Sequence, residues 1–378
     1  MTSTHTSKPS TVASPITLGV EEEFQIIDPE TRELVSAGSR LAALAAPELA
    51  PRLRTEVHES VIEIVTGICD DVAAVRRDLL ANRIAIRELA ARAGLEIAAG
   101  GAHPFSDWRA QKITENRRFD WIMREMPGPA PGLFGFGLHI HVGIPDADEA
   151  IGVMNRLRPF LPHLLALTTS SPLWLGHASG HRSVRGEMRR WLPRTGIPDV
   201  FGSYRDYRAH IDLLLRTNCI DRERRLWWDI RRSPTYDTVE LRIFDMPTRL
   251  EDTVAVVALV QALVARMLSL HRAGAPLDAT ASCLIEENRR RAVRLGVRCH
   301  LADFAGAREV PFASALDELL DLVQGAAAEL GTLHEVQQVR RIVREGTSAE
   351  RQLEIFAASG DARAVVDWLL SETRRDVP

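Results

Sequence analysis

Three short segments of this chain carry carboxylates and imidazoles at the spacing of a β-strand. They are residues 19–24 (GVEEEF), 137–143 (GLHIHVG) and 239–245 (VELRIFD). Side chains two residues apart in a strand lie on the same face of the sheet. The residues that are expected to share a face are Glu21 with Glu23, His139 with His141, and Glu240 with Arg242. Carboxylates, imidazoles and a guanidinium on one face could hold divalent cations against phosphate. The pattern therefore predicts a metal–phosphate site on one side of a sheet.

The opposite faces of the same segments are apolar and are expected to form core. They carry Val20 and Phe24, then Leu138, Ile140 and Val142, then Leu241 and Ile243. A fourth segment, residues 61–65 (VIEIV), places Glu63 inside an apolar run. A carboxylate in such a run must be paired or must bind a cation. Glu63 is thus a further candidate ligand, and Glu56 could join the same site.

Each of these signals also has a purely structural interpretation. Glutamates can be solvated on an edge strand, where they discourage edge pairing. A buried glutamate can form a salt bridge with an arginine, and strand histidines often satisfy hydrogen bonds rather than bind metals. The Glu-x-Arg pair could be a cross-strand ion pair. The edge-strand interpretation applies to Glu21 and Glu23, and the salt-bridge interpretation applies to Glu63. The hydrogen-bond interpretation applies to His139 and His141, and the ion-pair interpretation applies to Glu240 with Arg242.

The charge composition argues against one class of partner and constrains how a nucleotide could be held. The 378 residues carry a formal net charge of −4. No basic tail is present, so nucleic-acid binding is not expected. Lysine occurs only at Lys8 and Lys112, and the sequence has no Walker A motif. A nucleotide would therefore be bound by metals, arginines and backbone amides.

The cysteines and the N-terminal stretch bear on cellular location. No CxxC pair occurs among Cys69, Cys219, Cys283 and Cys299, which predicts a reduced, cytoplasmic protein. Residues 1–15 are rich in Ser and Thr and have no apolar signal-peptide region, so a disordered tail is expected there. We expect residues 16–378 to form a single catalytic domain. The apolar window 254–270 is interrupted by Gln261 and Arg266 and predicts a core helix rather than a membrane span.

The order of elements favours an α+β fold. Strands and helices are mixed in the first two thirds, with helices predicted after Asp70 and Asp71 and over residues 148–169. From Glu251 onward the chain is expected to be helical, with breaks near Gly274, Gly306, Gly346 and Gly360. Two segments rich in Gly, Pro, Trp and Arg, residues 103–136 and 171–204, are predicted to be loops that border the site.

Taken together, the motifs resemble those of the carboxylate–amine ligases of the glutamate–cysteine ligase type 2 family, within the glutamine synthetase superfamily. The matching strings cover nearly the whole chain: residues 18–24 (LGVEEEF), 137–143 (GLHIHVG), 171–176 (SPLWLG), 183–185 (SVR), 231–234 (RRSP), 240–242 (ELR) and 364–369 (AVVDWL). The combination is specific, whereas any single string would not be.

This resemblance implies a glutamine synthetase-like catalytic fold, with a curved, mainly antiparallel sheet of about six strands and helices packed on one side. It implies ATP as a substrate and Mg²⁺ as the metal, with Mn²⁺ as a substitute. The implied metal ligands are Glu21, Glu23, Glu63, His139 and Glu240, with Glu56 on weaker grounds. Arg242 and Glu240 are the implied catalytic residues. Arg242, Arg185 and Arg231 are implied contacts to the nucleotide phosphates, and His141 and Arg185 are implied contacts to the substrate.

The implied activity is amide formation between an amino-acid carboxylate and an amine through an acyl phosphate. The family name supplies glutamate as donor and cysteine as acceptor, and nothing in the residues fixes the acceptor. Three alternatives stay open: a ligase for glutamate and a different amine, a metal-dependent hydrolase that uses the same Glu/His cluster, and a catalytically silent binding protein. The sequence also leaves homo-oligomerisation open.

Overall fold

The computed structural model describes residues 16–116, 119, 134–375 and 377. The predicted tail at residues 1–15, and residues 117–118 and 120–133 of the first predicted loop, lie outside the described residues. The strands are β1 (Leu18–Ile27), β2 (Leu53–Thr55), β3 (Val61–Val65), β4 (Glu96–Ala98), β5 (Leu138–Gly143), β6 (Leu173–Trp174), β7 (His177–Ala178), β8 (Thr195–Gly196), β9 (Trp227–Trp228), β10 (Ile230–Arg232), β11 (Thr238–Leu241), β12 (His300–Asp303) and β13 (Arg308–Pro311).

The α-helices in this part of the chain follow the same order. They are α1 (Gly38–Leu44), α2 (Val72–Arg92), α3 (Ala147–Leu157), α4 (Leu161–Thr168), α5 (Val184–Met188), α6 (Tyr204–Arg216), α7 (Leu250–Arg272), α8 (Ser282–Leu295), α9 (Phe312–Glu329), α10 (Leu333–Gln337), α11 (Val339–Glu345), α12 (Ser348–Ser359) and α13 (Ala362–Arg374).

A seven-stranded sheet positions the site. Its strand order is β10–β11–β5–β1–β3–β2, and β4 pairs with β1 beyond the end of β5. Every pairing in this sheet is antiparallel. The α+β prediction is confirmed, with seven strands where about six were expected. Because β1 is central and long, the glutamates of residues 21–23 lie in the middle of the sheet rather than on an edge strand.

One face of the sheet packs against helices and forms the core. The apolar side chains predicted for that face are at most 2 % exposed, namely Val20, Phe24, Leu138, Ile140, Val142, Leu241 and Ile243. Helices α2, α3 and α7 contact the sheet. Helix α7 has a mean hydropathy of 2.0 in its most apolar window, and 78 % of that window is buried inside the protein. Its length and composition would suit a membrane span, but here it packs against α2, α3 and α9 as the predicted core helix.

Two helix predictions need correction. The helix expected over residues 148–169 is divided into α3 and α4 by a 3₁₀ turn, Arg158–Phe160. Pro159 and Pro162 cause this break, since each lacks an N–H for a continuous helix. The C-terminal third is also not entirely helical. Strands β12 and β13 form a hairpin around Gly306, whose N–H donates to the Asp303 carboxylate.

Candidate functional site

Strand register brings the predicted site residues onto one face of the sheet. Glu21 is the direct antiparallel partner of His139, and Glu23 is the partner of Glu63. On the next strand Glu240 pairs with His141. Direct partners in an antiparallel pair point to the same face. That face forms the floor of a pocket of about 1250 Å³. Glu56 lines this pocket. All nine predicted site residues line it as well: Glu21, Glu23, Glu63, His139, His141, Arg185, Arg231, Glu240 and Arg242.

A compact cluster of possible metal ligands lies at the centre of this floor. One ligand atom each from Glu21, Glu63 and His139 fall within 4.8 Å of one another. His139 Nδ1 lies 2.9 Å from Glu21 Oε2, and His141 Nε2 lies 3.4 Å from Glu21 Oε1. Burial lowers the pKa of His139 to about 3, and the nearby Arg242 charge adds to this effect. His139 is therefore neutral at pH 7, which is the form that binds metals.

The carboxylates of this cluster repel one another. Burial raises the pKa of Glu63 well above its usual value, and the charges of Glu21, Glu56 and Glu23 raise it further. Among the described residues Glu63 forms no ion pair with a lysine or arginine, so the salt-bridge alternative is not observed there. Burial likewise raises the pKa of Glu23, whose carboxylate accepts a hydrogen bond from the Gly137 N–H. Buried like charges of this kind need a cation or protons to offset them.

Glu240 lies beside the cluster but is held by two arginines. Arg231 donates to both of its oxygens, at 2.8 and 3.0 Å, and Arg242 donates to one of them. Burial raises the pKa of Glu240, but the Arg231 and Arg242 charges outweigh burial and hold the pKa well below its usual range. Arg231 also donates to the Leu226 carbonyl at 2.7 Å. Most of the hydrogen-bonding capacity of Arg231 is thus used within the protein.

Arg242 differs from Arg231 because part of its guanidinium is unsatisfied. Its Nε is buried and has no hydrogen-bond partner among the described residues. Burial lowers the pKa of Arg242, but Glu240, Glu21 and Glu23 together raise it above its usual value. A guanidinium between Glu240 and the carboxylate cluster is suited to contact an anion bound in the pocket.

Arg185 and His141 complete the predicted set. The guanidinium of Arg185 lies directly over Gly137. A Cβ atom at position 137 would collide with Arg185 Nη2, so glycine at this position leaves room for the Arg185 side chain. Arg185 Nη1 is 3.9 Å from Asp245 Oδ1 and has no hydrogen-bond partner among the described residues. The His141 ring is oriented by Thr238, whose Oγ1 lies 2.8 Å from Nδ1.

Sequence reasoning missed a buried network that supports Arg185. Asp245 accepts hydrogen bonds from Ser171 Oγ and Ser183 Oγ, each at 2.7 Å, and from the Ser170 N–H at 3.0 Å. Burial raises the pKa of Asp245, although Arg185 opposes this. The signal was available, because Asp245 ends the third motif and Ser171 and Ser183 begin the strings 171–176 and 183–185.

The two predicted border segments both contribute to the pocket where they are described. Phe119, Phe134 and Gly135 of the first segment line the pocket. The second segment is more regular than expected, since it contains the β6–β7 hairpin and α5. It contributes Arg185, Met188, Arg189 and Leu192 to the lining. Arg189 was not predicted as a site residue.

Comparison with known proteins identifies the family. The family model described as "Glutamate-cysteine ligase family 2(GCS2)" matches residues 17–367. A Sorangium cellulosum protein named "Putative glutamate--cysteine ligase 2" is 46 % identical over 359 residues, which cover 94 % of this chain and 96 % of that protein. A Solibacter usitatus protein of the same name is 40 % identical over 365 residues, covering 96 % and 95 %. The chain belongs to glutamate–cysteine ligase family 2.

Solved structures show the same fold at low sequence identity. A glutamate–cysteine ligase from Francisella tularensis, solved in complex with AMP, has a TM-score of 0.72 at 13 % identity, with 96 % of this chain and 90 % of that chain covered. A bifunctional glutathione synthetase from Pasteurella multocida has a TM-score of 0.68 at 15 % identity, with 96 % and 52 % covered. The predicted ligase family is confirmed by the family model and the sequence relatives, and the predicted fold is confirmed by these structures.

Proposed function

We propose that the protein joins an amino-acid carboxylate to an amine in an ATP-dependent reaction through an acyl phosphate. The observation that carries this proposal is the Glu21–Glu63–His139 cluster, which lies in one pocket with the partly unsatisfied guanidinium of Arg242. Family membership supports the ligase class, and the fold relative from Francisella tularensis was solved with AMP. We take the γ-carboxylate of glutamate as donor and the amine of cysteine as the first acceptor to test.

The donor set fits a divalent cation. The cluster combines the half-buried Glu21, the buried Glu63 and the imidazole of His139. Glu63 has a raised pKa and no ion pair with an arginine or lysine among the described residues, so a cation would offset the mutual repulsion of these carboxylates. Oxygen ligands suit Mg²⁺, and the imidazole makes Mn²⁺ an effective substitute. Glu21, Glu63 and His139 would hold the metal, with Glu23 and Glu240 as further ligands. When bound, the metal supplies charge neutralisation on the transferring phosphoryl group.

The protein side chains then have distinct tasks. In the first step a donor carboxylate oxygen attacks the γ-phosphorus, and the bond to the ADP oxygen breaks. Arg242 contacts the transferring group, and Glu240, braced by Arg231, holds Arg242 in place. An arginine at such a transition state is worth about 10³ to 10⁵ in rate. In the second step the amine nitrogen attacks the acyl carbon, phosphate leaves, and the nitrogen loses a proton.

The remaining predicted residues serve the substrates. His141 and Arg185 contact the amino acid, and Arg185 also reaches the phosphates. The described residues of segments 103–136 and 171–204 that line the pocket shelter the acyl phosphate from water, which would otherwise hydrolyse it. We further propose a cytoplasmic location, since all four cysteines are free, and leave homo-oligomerisation as an open proposal.

The decisive experiment measures phosphate release with ATP and Mg²⁺ or Mn²⁺ across a set of amino acids and amines, with mass spectrometry of the product. We expect release that requires both glutamate and an acceptor, together with the corresponding amide. Hydrolysis of an amide without ATP would instead identify a metal-dependent hydrolase. Nucleotide binding without any turnover would identify a silent binding protein.

Two variants link this activity to the site. Glu63→Gln should reduce ATP-dependent turnover about 100-fold or more. Glu309→Gln is the matched control, because Glu309 lies on the β12–β13 hairpin, is not among the residues that line the pocket, and has a side chain that is 63 % exposed. Equal activity of Glu63→Gln and the parent protein would remove the cluster from the mechanism.

A further inference from the structure

Arg189 is a buried arginine of the pocket that the proposed chemistry does not use. It follows α5 directly, one helical turn after Arg185, and both line the pocket. The Arg189 side chain is only 9 % exposed and that of Arg185 only 4 %. Burying a guanidinium is costly unless hydrogen bonds and opposite charges compensate it. The stability of Arg189 in this position therefore depends on its partners.

Those partners are incomplete. Arg189 Nη2 donates to the Trp227 carbonyl at 3.0 Å, but it lies 3.8 Å from Asp229 Oδ1, too far for a hydrogen bond. Arg189 Nε is buried without a partner among the described residues, as are Arg185 Nη1 and Asp229 Oδ1. Two neighbouring guanidiniums thus each present an unsatisfied nitrogen.

Arg189 is less well compensated by opposite charge than the neighbouring Arg289 of α8. Burial lowers the pKa of Arg189 to about 9, and the Arg185 charge lowers it further, while Asp229 acts in the opposite direction. Asp229 is also shared, because Arg289 of α8 donates to its Oδ2 at 2.9 Å. Arg289 also pairs with Glu286 at 3.3 Å, whereas Asp229 is the single carboxylate within 4 Å of the Arg189 nitrogens among the described residues. An anion bound beside Arg185 and Arg189 would add the compensating charge that Arg189 lacks.

Contacts with neighbouring residues hold the side chains of Arg185 and Arg189 in fixed positions. Arg289 joins Asp229 to α5, because its Nη2 donates to the Gly186 carbonyl at 3.1 Å. Arg185 is confined by Gly137 and Asp245. A site whose cations are fixed before binding loses little entropy when its ligand arrives.

We propose that Arg189, together with Arg185, binds the α-carboxylate of an amino-acid substrate. This inference rests on the proposed function for the identity of its ligand. The planar guanidinium group of arginine can form two parallel hydrogen bonds with a carboxylate. Arg189 lines the pocket together with the apolar side chains of Met188, Leu192 and Trp227. Arg242, beside the carboxylate cluster, is the arginine placed for the phosphoryl group. Arg189 thus selects substrates that carry a carboxylate next to the amine.

The test compares ligands that differ only in this carboxylate. Isothermal titration would measure binding of L-glutamate against 4-aminobutyrate and of L-cysteine against cysteamine, in the presence of Mg²⁺ and ADP so that no turnover is needed. The proteins are the parent, Arg189→Gln, Arg189→Lys and the control Arg190→Gln. Arg190 neighbours Arg189 in sequence, but it faces solvent and pairs with Glu286 at 3.1 Å.

Arg189→Gln should weaken binding of at least one of the two amino acids about 10-fold or more, because a charged hydrogen bond is lost. Binding of the matching decarboxylated analogue should not change, and Arg189→Lys should recover part of the loss. The melting temperature of Arg189→Gln should equal or exceed that of the parent, since an incompletely paired buried charge is removed. A residue with a purely structural role would instead lower the melting temperature and weaken all ligands equally.

Several results would overturn the proposal. These are unchanged amino-acid binding in Arg189→Gln, a loss confined to ADP or ATP, or a parent protein that binds neither amino acid. Failure of the ligase function gives a different result. In that case the parent protein would show no ATP-dependent phosphate release, but it would still bind glutamate more tightly than 4-aminobutyrate, and Arg189→Gln would lose this preference. Such a result would support the carboxylate site and reject the ligase reaction.

Discussion

The two faces of the central sheet treat buried glutamates in opposite ways. On the helix-packed face, Glu22 is fully buried, and the guanidinium of Arg83 on α2 donates to both of its oxygens at 2.5 to 3.2 Å. On the pocket face, Glu21 contacts the His139 imidazole and Glu23 accepts a hydrogen bond from the Gly137 N–H. Neither of these glutamates nor the nearby Glu63 forms an ion pair with an arginine or lysine among the described residues. Adjacent residues of one strand thus have a closed ion pair on one side and an open carboxylate cluster on the other. The closed pair serves the fold, and the open cluster is suited to a ligand.

The largest effect is expected from breaking the closed pair. Glu22→Gln leaves the Arg83 charge buried without its partner, and this should cost about 3–5 kcal/mol in the free energy of unfolding. Denaturant titration of the purified protein measures this cost. The double variant Glu22→Gln/Arg83→Met removes both charges and should recover much of the loss. A cost of Glu22→Gln below about 1 kcal/mol would show that the pair is not needed for the fold.

On the pocket face the effect should fall on activity rather than on stability. Glu63→Gln should reduce ATP-dependent turnover about 100-fold or more, or about 3 kcal/mol, because a metal ligand is lost. With chelator present, the unfolding free energy should stay equal or rise, since a repelling buried charge is removed. A large loss of stability in Glu63→Gln would erase the difference between the two faces.

The variant Arg242→Lys tests whether the guanidinium group of Arg242, on the pocket face, has a specific role in turnover. Lysine keeps the charge but not the planar fork, so turnover should fall by about 10- to 100-fold while the protein stays folded. Thermal melting beside steady-state kinetics checks both parts. Unchanged turnover in Arg242→Lys would exclude a specific role for the guanidinium.

The smallest expected effect concerns pH. Burial first, and then nearby carboxylates, raise the pKa of Glu63 in the folded protein above its ordinary value. The folded state therefore binds a proton that the unfolded state has released, and this contribution to stability declines as the pH rises. In chelator, the stability advantage of Glu63→Gln over the parent should be present at neutral pH and should shrink as the pH falls toward 4.5. Melting curves at several pH values test this, and an advantage independent of pH would contradict it.

The sequence by itself determined much of this protein. Strand periodicity assigned Glu21 and Glu23 to one face and Val20 and Phe24 to the other, because side chains alternate along any strand regardless of context. The motif combination predicted the ligase family and the antiparallel α+β fold. Proline chemistry could have predicted the break between α3 and α4, but the apolar pattern across residues 148–169 hid it.

Only the tertiary structure decided which charges meet. The family resemblance assigned both Arg231 and Arg242 to the nucleotide phosphates. In the structure, Arg231 is paired through two nitrogens with Glu240, whereas Arg242 Nε has no hydrogen-bond partner among the described residues. The partners of Arg185 and Arg189, which are Asp245 and Asp229, lie tens of residues away along the chain. A buried arginine either pairs fully with a carboxylate or keeps a nitrogen available for a ligand. Differences of a few ångströms between the guanidinium and the nearest carboxylate decide which of these occurs. Local sequence patterns do not encode those distances, because they depend on how α5 and α8 pack against each other and how Asp229 and Asp245 are placed beside them.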